Sequence, residues 1–245
     1  MRKLLLVALV VLPVLVILTL PSGLVIPRFD PPAALGQYGG TVWSGHARWR
    51  QAGQVPMALN WAWSWPWRWH WEAADGSSRI LGQWRPGPGI RLDQVEGRLA
   101  IERLDLAAWL PLSPPQGEIS LNLESVQIVS GEAPNIRGEA IWEDARLAGV
   151  VQEDLGRIQV RFDPPQPGQA EVQIARVESL TMAPVVVQGR IEFGADTYHV
   201  DLWLQASADR PDLAAQLGSL GERQPDGRVR IRLQGQLGLN PSDST

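Results

Sequence analysis

The side chains able to do chemistry are few and far apart. The 245-residue chain has no cysteine, so thiolate nucleophiles, thiolate metal ligands and disulfides are excluded together. Its three histidines, His46, His70 and His199, share no motif spacing, and an imidazole metal site or proton relay is not expected. Asp93 with Glu96 and Glu143 with Asp144 are the candidate carboxylate pairs. Neighbouring strand residues face opposite ways, and acidic residues near turns are usually solvated. No G-x-S-x-G, P-loop, H-E-x-x-H, EF-hand or G-x-G-x-x-G pattern is present. The residues therefore predict no catalytic, cofactor-binding or metal-binding site, and no enzymatic activity. A net charge of −4 without runs of like charge does not suit a nucleic-acid partner.

The unusual residue is tryptophan, with twelve copies against two Tyr and three Phe. Trp61, Trp63, Trp65, Trp67, Trp69 and Trp71 occupy every odd position of NWAWSWPWRWHWE, residues 60–72. In a strand all six project from one face, with Ala62, Ser64, Pro66, Arg68 and His70 on the other. In a helix they would spread around the circumference, and Pro66 would break it. The spacing predicts one strand. Pro66 cannot donate to a ladder, which places that strand at a sheet edge. Six indoles could present on the order of 900–1500 Å², well above the roughly 300–600 Å² of the largest patch on ordinary monomers. The face must be covered. It is an aromatic core, a groove for a lipid or apolar peptide, or a contact with the bilayer.

The elements that hold these residues read as strands almost throughout. Period-two alternation recurs at Trp43–Trp49, Val95–Ile101, Ile119–Leu123, Ile136–Trp142, Ile158–Phe162, Val185–Phe193, Tyr198–Leu204 and Val229–Leu233. Turn signals at Asp75-Gly76, Asp163-Pro164-Pro165, Gly194-Ala195-Asp196 and Pro225-Asp226-Gly227 imply antiparallel hairpins or a meander. Helical patterning is confined to Asp105–Leu110 and Asp212–Leu220, the second following Asp209-Arg210-Pro211. The fold class expected is all-β: a curved antiparallel sheet with one or two short helices behind an N-terminal membrane helix.

That helix is read from Arg2-Lys3 followed by an apolar run from Leu4 to Leu20, resuming at Leu24-Val25-Ile26. The stretch meets the roughly 20 residues a bilayer requires. The basic pair ahead of it orients the N-terminus to the cytoplasm and the remainder to the periplasm of a bacterium. A cleaved signal peptide is the alternative, but the run is long for one and no A-x-A-like site follows. The organisation expected is an anchor over 1–26, two β halves over 27–130 and 131–240, and a tail over 241–245.

The two halves are suggested by a repeat. DLAAWL at 105–110 leads through a Pro-rich connection to GEISLNLES at 117–125; DLAAQL at 212–217 leads to GRVRIRLQG at 227–235. Ile119, Leu121 and Leu123 correspond to Val229, Ile231 and Leu233.

Taken with the anchor, three segments in this order resemble protein N of the type II secretion system, the general secretion pathway protein N family. They are Gly40-Thr41-Val42-Trp43-Ser44-Gly45-His46-Ala47, then Leu59-Asn60-Trp61, and then Asp209-Arg210-Pro211-Asp212-Leu213 with Leu217-Gly218, Asp226-Gly227-Arg228 and Gly235. The resemblance implies a single-pass inner-membrane protein with a periplasmic domain, accessory to export of folded proteins across the outer membrane. It implies other secretion-system proteins as partners, no cofactor and no catalysis. Six alternating tryptophans depart from the more mixed strand expected of that family. The repeat also looks distantly like AsmA-type curved sheets that handle lipids. A periplasmic lipid-binding or lipid-shuttling module is therefore the alternative function, with the six tryptophans as its apolar binding face.

Overall fold

The computed structural model describes residues 19–29, 34–50, 54–104, 115–147, 153–164 and 172–237. The chain forms two compact units, Met1–Gly76 and Ser77–Thr245. The expected boundary near residue 130 falls in the turn of a hairpin inside the second unit.

In the first unit, helix α1 (Ser22–Val25) and a 3-10 turn (Ile26–Phe29) precede four strands: β1 (Leu35–Gly40), β2 (Ser44–Trp49), β3 (Met57–Ser64) and β4 (Arg68–Ala74). Each pairs antiparallel with the next. The expected membrane helix over 4–26 lies mostly outside the described residues. Among those described, no helix is long and apolar enough to cross a membrane. Pro21 is extended (φ −67°, ψ 131°) and bridges Thr41. The apolar residues 24–26 thus belong to a separate short helical stretch, not to a helix running on through Pro21. Ser22 is fully buried, and its hydroxyl donates 3.1 Å bonds toward the carbonyls of Gly39 and Gly40, fastening this entry to the end of β1.

The second unit holds β5 (Arg79–Trp84), β6 (Ile90–Ala100), a 3-10 turn (Ile101–Leu104), β7 (Pro115–Ile128), β8 (Asn135–Leu147), β9 (Glu153–Phe162), β10 (Gln173–Ser179), β11 (Val185–Phe193), β12 (Thr197–Ala206), helix α2 (Pro211–Leu217), β13 (Glu222–Arg223) and β14 (Val229–Gln236). From β5 to β12 the strands pair antiparallel in sequence order; β14 then pairs with β12, and β13 with β14. The mostly-β, antiparallel expectation is met, with only short helices among the described residues.

Apolar alternation builds the core of this unit. Ala145, Leu147, Leu155, Ile158, Val177, Val185, Val187, Leu204, Val229 and Ile231 point to one side, and Leu213 and Leu217 of α2 close over them. Pro211 starts the helix where no amide donor is needed. The chain leaves it at Gly218, shorter than the expected end at Leu220. The first helical candidate, 105–110, lies outside the described residues. The glycine shared by the two repeats has different roles. Gly117 lies in β7 opposite a bulge at Asp144-Ala145, where a Cβ would meet the Glu143 carbonyl at 2.6 Å; Gly227 sits in an open turn with φ +84°.

Candidate functional site

The tryptophan segment is a hairpin, not one strand, which corrects the single edge strand expected. β3 ends at Ser64 and β4 starts at Arg68, with Trp65-Pro66-Trp67 as the turn. Proline is at home there because a turn asks nothing of its missing amide proton. The register sets Trp61 opposite Trp71 and Trp63 opposite Trp69, so these four share one face. Trp65 and Trp67 lie beyond the ladder and are 75% and 61% exposed.

The β1–β2 turn organises this face. The Thr41 hydroxyl accepts from the amides of Trp43 (3.3 Å) and Ser44 (3.1 Å), holding the turn closed. The freed carbonyls of Thr41 and Val42 then accept the indole N–H groups of Trp61 (3.2 Å) and Trp69 (3.1 Å). Trp43 stacks on Trp69 (centroids 6.1 Å apart, planes 16° apart) and meets Trp63 edge-on at 5.7 Å. Trp63 in turn meets Trp65 edge-on at 6.2 Å. Such pairs stabilise by about 0.5–1.5 kcal/mol beyond area burial. Gly45 lies under Trp61: a Cβ there would stand 2.6 Å from the indole and 2.5 Å from the Gly39 carbonyl. The motif Gly40–Gly45 is thus the seat of the indoles. Trp71 is the exception in polarity, since its buried Nε1 has no hydrogen-bond partner among the described residues.

The Asp209-Arg210-Pro211-Asp212 segment works differently. Arg210 donates to Glu153 on β9 (2.7 Å) and to Asp212 (3.0 Å), tying the start of α2 to a strand. Its guanidinium holds the Asp212 carboxyl below the usual carboxylate range, and a bond from Ser207 does the same for Asp209. These are structural contacts.

On the face of the second unit opposite its core, Arg161, Arg176 and Arg190 stand directly opposite one another on β9, β10 and β11. Each pairs with its own carboxylate: Glu139, Asp163 and Glu192 respectively. Farther along, Arg230 grips Asp201 with two 2.6 Å bonds and lies over Trp203, as Arg228 does. The Arg230 hydrogen bonds depress the Asp201 pKa. Clefts here are lined by charged and polar side chains such as Glu192, His199 and Arg232.

The carboxylate pairs named from sequence do not act together. Asp93 is buried against Arg85, and Glu143 holds Arg157 through 2.6 and 2.9 Å bonds. No group of three potential metal ligands gathers among the described residues.

Two antiparallel β units, one presenting an indole cluster and the other a neutralised polar face, define a mostly-β protein. The family model for type II secretion system (T2SS), protein N, matches residues 31–232. The chain belongs to that family, and the resemblance carried by the Trp43, Trp61 and Asp209–Leu213 segments is shown. No curated protein and no solved structure matches it.

Proposed function

We propose that this chain is an accessory inner-membrane component of the type II secretion system that works by binding and scaffolding. It is held by its N-terminal apolar run with both β units in the periplasm. Family membership over residues 31–232 carries the reading. A role in type II secretion, with other secretion-system proteins as partners, follows from the family. Scaffolding is supported by faces made of strand ladders and paired charges, and the absence of any catalytic motif in the sequence supports a non-enzymatic role. Lipid shuttling is less well supported. It requires a continuous open apolar groove, whereas α2 covers the apolar face of the second unit at Leu213 and Leu217.

The test is deletion and complementation in the native host with cross-linking in intact envelopes. Extracellular levels of exported proteins should fall on deletion and recover with the full chain, and cross-linking should retrieve secretion-system proteins. Unchanged export together with cross-links only to unrelated envelope proteins would overturn the proposal. A periplasm-active reporter fused after Thr245 should be active if the topology is right.

A further inference from the structure

The exposed end of the tryptophan hairpin lies at the point where the N-terminal apolar run joins the first unit. The Leu20 carbonyl accepts from the Val42 amide at 3.1 Å, and Pro21 bridges Thr41. From that turn, contacts run without a gap to the hairpin end. The Val42 carbonyl holds Trp69, Trp43 packs on Trp69 and Trp63, and Trp63 packs on Trp65. The Trp43 carbonyl also accepts from the Trp63 amide at 2.5 Å. The entry of the chain, the β1–β2 turn and the β3–β4 turn therefore occupy one end of this unit.

The hairpin tip at that end, Trp65-Pro66-Trp67, is apolar and uncharged, with Arg68 opposite Ser64 at its base. Trp63, Trp65 and Trp67 are 39%, 75% and 61% exposed, together roughly 300–400 Å² of indole surface. No charge occurs from Val55 to Trp67, and Arg68 is the first. Such a surface can leave water without stripping an ion of its hydration. Indoles have a particular partner in this setting. The ring is apolar and its N–H is polar, so tryptophan concentrates at the headgroup boundary of bilayers. A chain whose apolar run Leu4–Leu20 occupies a membrane delivers Leu20 to that boundary, and with it the turn and the hairpin.

We propose that the Trp65-Pro66-Trp67 turn, with Trp63 behind it, seats in the lipid headgroup boundary beside the N-terminal apolar run as a second, interfacial membrane contact. It fixes the orientation of the first unit against the bilayer. The proposal rests on the membrane-anchor reading of residues 4–20 and commits to lipid as the occupant.

The experiment uses the full chain, which has no native cysteine to remove. Trp65→Cys and, as control, Gly76→Cys carry an environment-sensitive fluorophore, and each is reconstituted into phosphatidylcholine–phosphatidylglycerol vesicles. Gly76 lies roughly 30 Å along the strand direction from the hairpin end at about 3.3 Å per residue, with no atom within 4 Å of a Cβ placed there. Quenching by shallow nitroxide lipids and by aqueous iodide is then compared. The label at position 65 should be quenched several-fold more by nitroxide lipid than the label at 76, and several-fold less by iodide. If labelling disturbs folding, brominated-lipid quenching of intrinsic fluorescence in the unlabelled chain and in Trp65→Phe replaces it; the variant should lose a measurable part of the quenching.

A membrane-embedded chain whose position 65 is open to iodide overturns the inference and leaves the anchor standing. Protection from both quenchers means that protein covers the hairpin, which also overturns it. Release of the whole chain by an alkaline wash overturns the anchor reading and the inference with it.

Discussion

The hairpin makes a sharp prediction about two tryptophans four residues apart. Trp61→Ala removes an indole that is partly buried over Gly45 and donates to the Thr41 carbonyl. Full burial of a Trp covers about 150–250 Å², so a partly exposed Trp61 covers roughly 100–200 Å². At about 25 cal/mol per Å² that area is worth about 2.5–5 kcal/mol. Leaving the Thr41 carbonyl without its donor adds about 0.5–1.5 kcal/mol. The total is about 3–6.5 kcal/mol, a large share of the roughly 5–15 kcal/mol that holds a typical domain together. Trp65→Ala removes a ring that is 75% exposed, leaving roughly 40–60 Å² of contact and a cost of about 1 kcal/mol. The assay is urea unfolding of the full chain in detergent, followed by tryptophan emission. Eight of the twelve tryptophans lie in Met1–Gly76, so the signal reports chiefly on that unit. Trp61→Ala should lower the midpoint several times more than Trp65→Ala. Equal shifts, or a larger one for Trp65→Ala, would refute the two-strand register, because a single strand with one buried face treats all odd positions alike.

Leu213→Ala should cost about 3–5 kcal/mol in urea unfolding of the second unit, since this fully buried helix side chain leaves a cavity. Gly97→Ala should destabilise by more than about 1 kcal/mol, because a Cβ there would stand 2.1 Å from the Arg79 carbonyl at φ +147°; thermal melting checks it. Asp201→Asn should lower the melting temperature near neutral pH. The folded-state pKa of Asp201 is depressed by Arg230, so its contribution is present above about pH 4, the ordinary Asp value, and fades as pH falls through the lower folded value. Melting temperatures of wild type and variant measured from pH 7 downward should therefore converge toward the acid end.

Much of the strand content was legible because one face of each strand is buried. The runs at 43–49, 95–101, 119–123, 136–142, 158–162, 185–193, 198–204 and 229–233 lie in strands, apart from the end residues Trp43 and Ile101. Strands β1, β5, β10 and the two-residue β13 carry no such mark. LGQYGG in β1 carries three glycines, and β10 buries Gln173 where the pattern calls for an apolar residue. Gln173 is tolerated inside because its amide is fully engaged, with Oε1 accepting from Ile136 at 3.1 Å and Nε2 donating to the carbonyls of Ile174 and Asp163. Ile136 and Asp163 stand 37 and 10 residues away in the chain, so most of that compensation leaves no local mark. The misread hairpin has a geometric cause. A three-residue turn between Ser64 and Arg68 makes each pair differ by an even number, so odd residues face odd residues. Unbroken parity is thus common to one long strand and to a hairpin folded on three residues. The cue that separates them is Pro66 at the centre, which the edge-strand expectation accounted for in another way.

Strand order has a consequence for how the protein is made. Within each unit almost every strand pairs with the one made immediately before it, and β13 waits only for β14. Loop-closure entropy is therefore met in small instalments. A chain emerging N-terminus first can add each strand to an existing edge as it appears, without holding an unpaired strand open for a distant partner. The growing edge is the hazard in such assembly, because it is a template for foreign strands. The chain ends that exposure locally: β13 has only two residues, both of them charged, and offers little to extend.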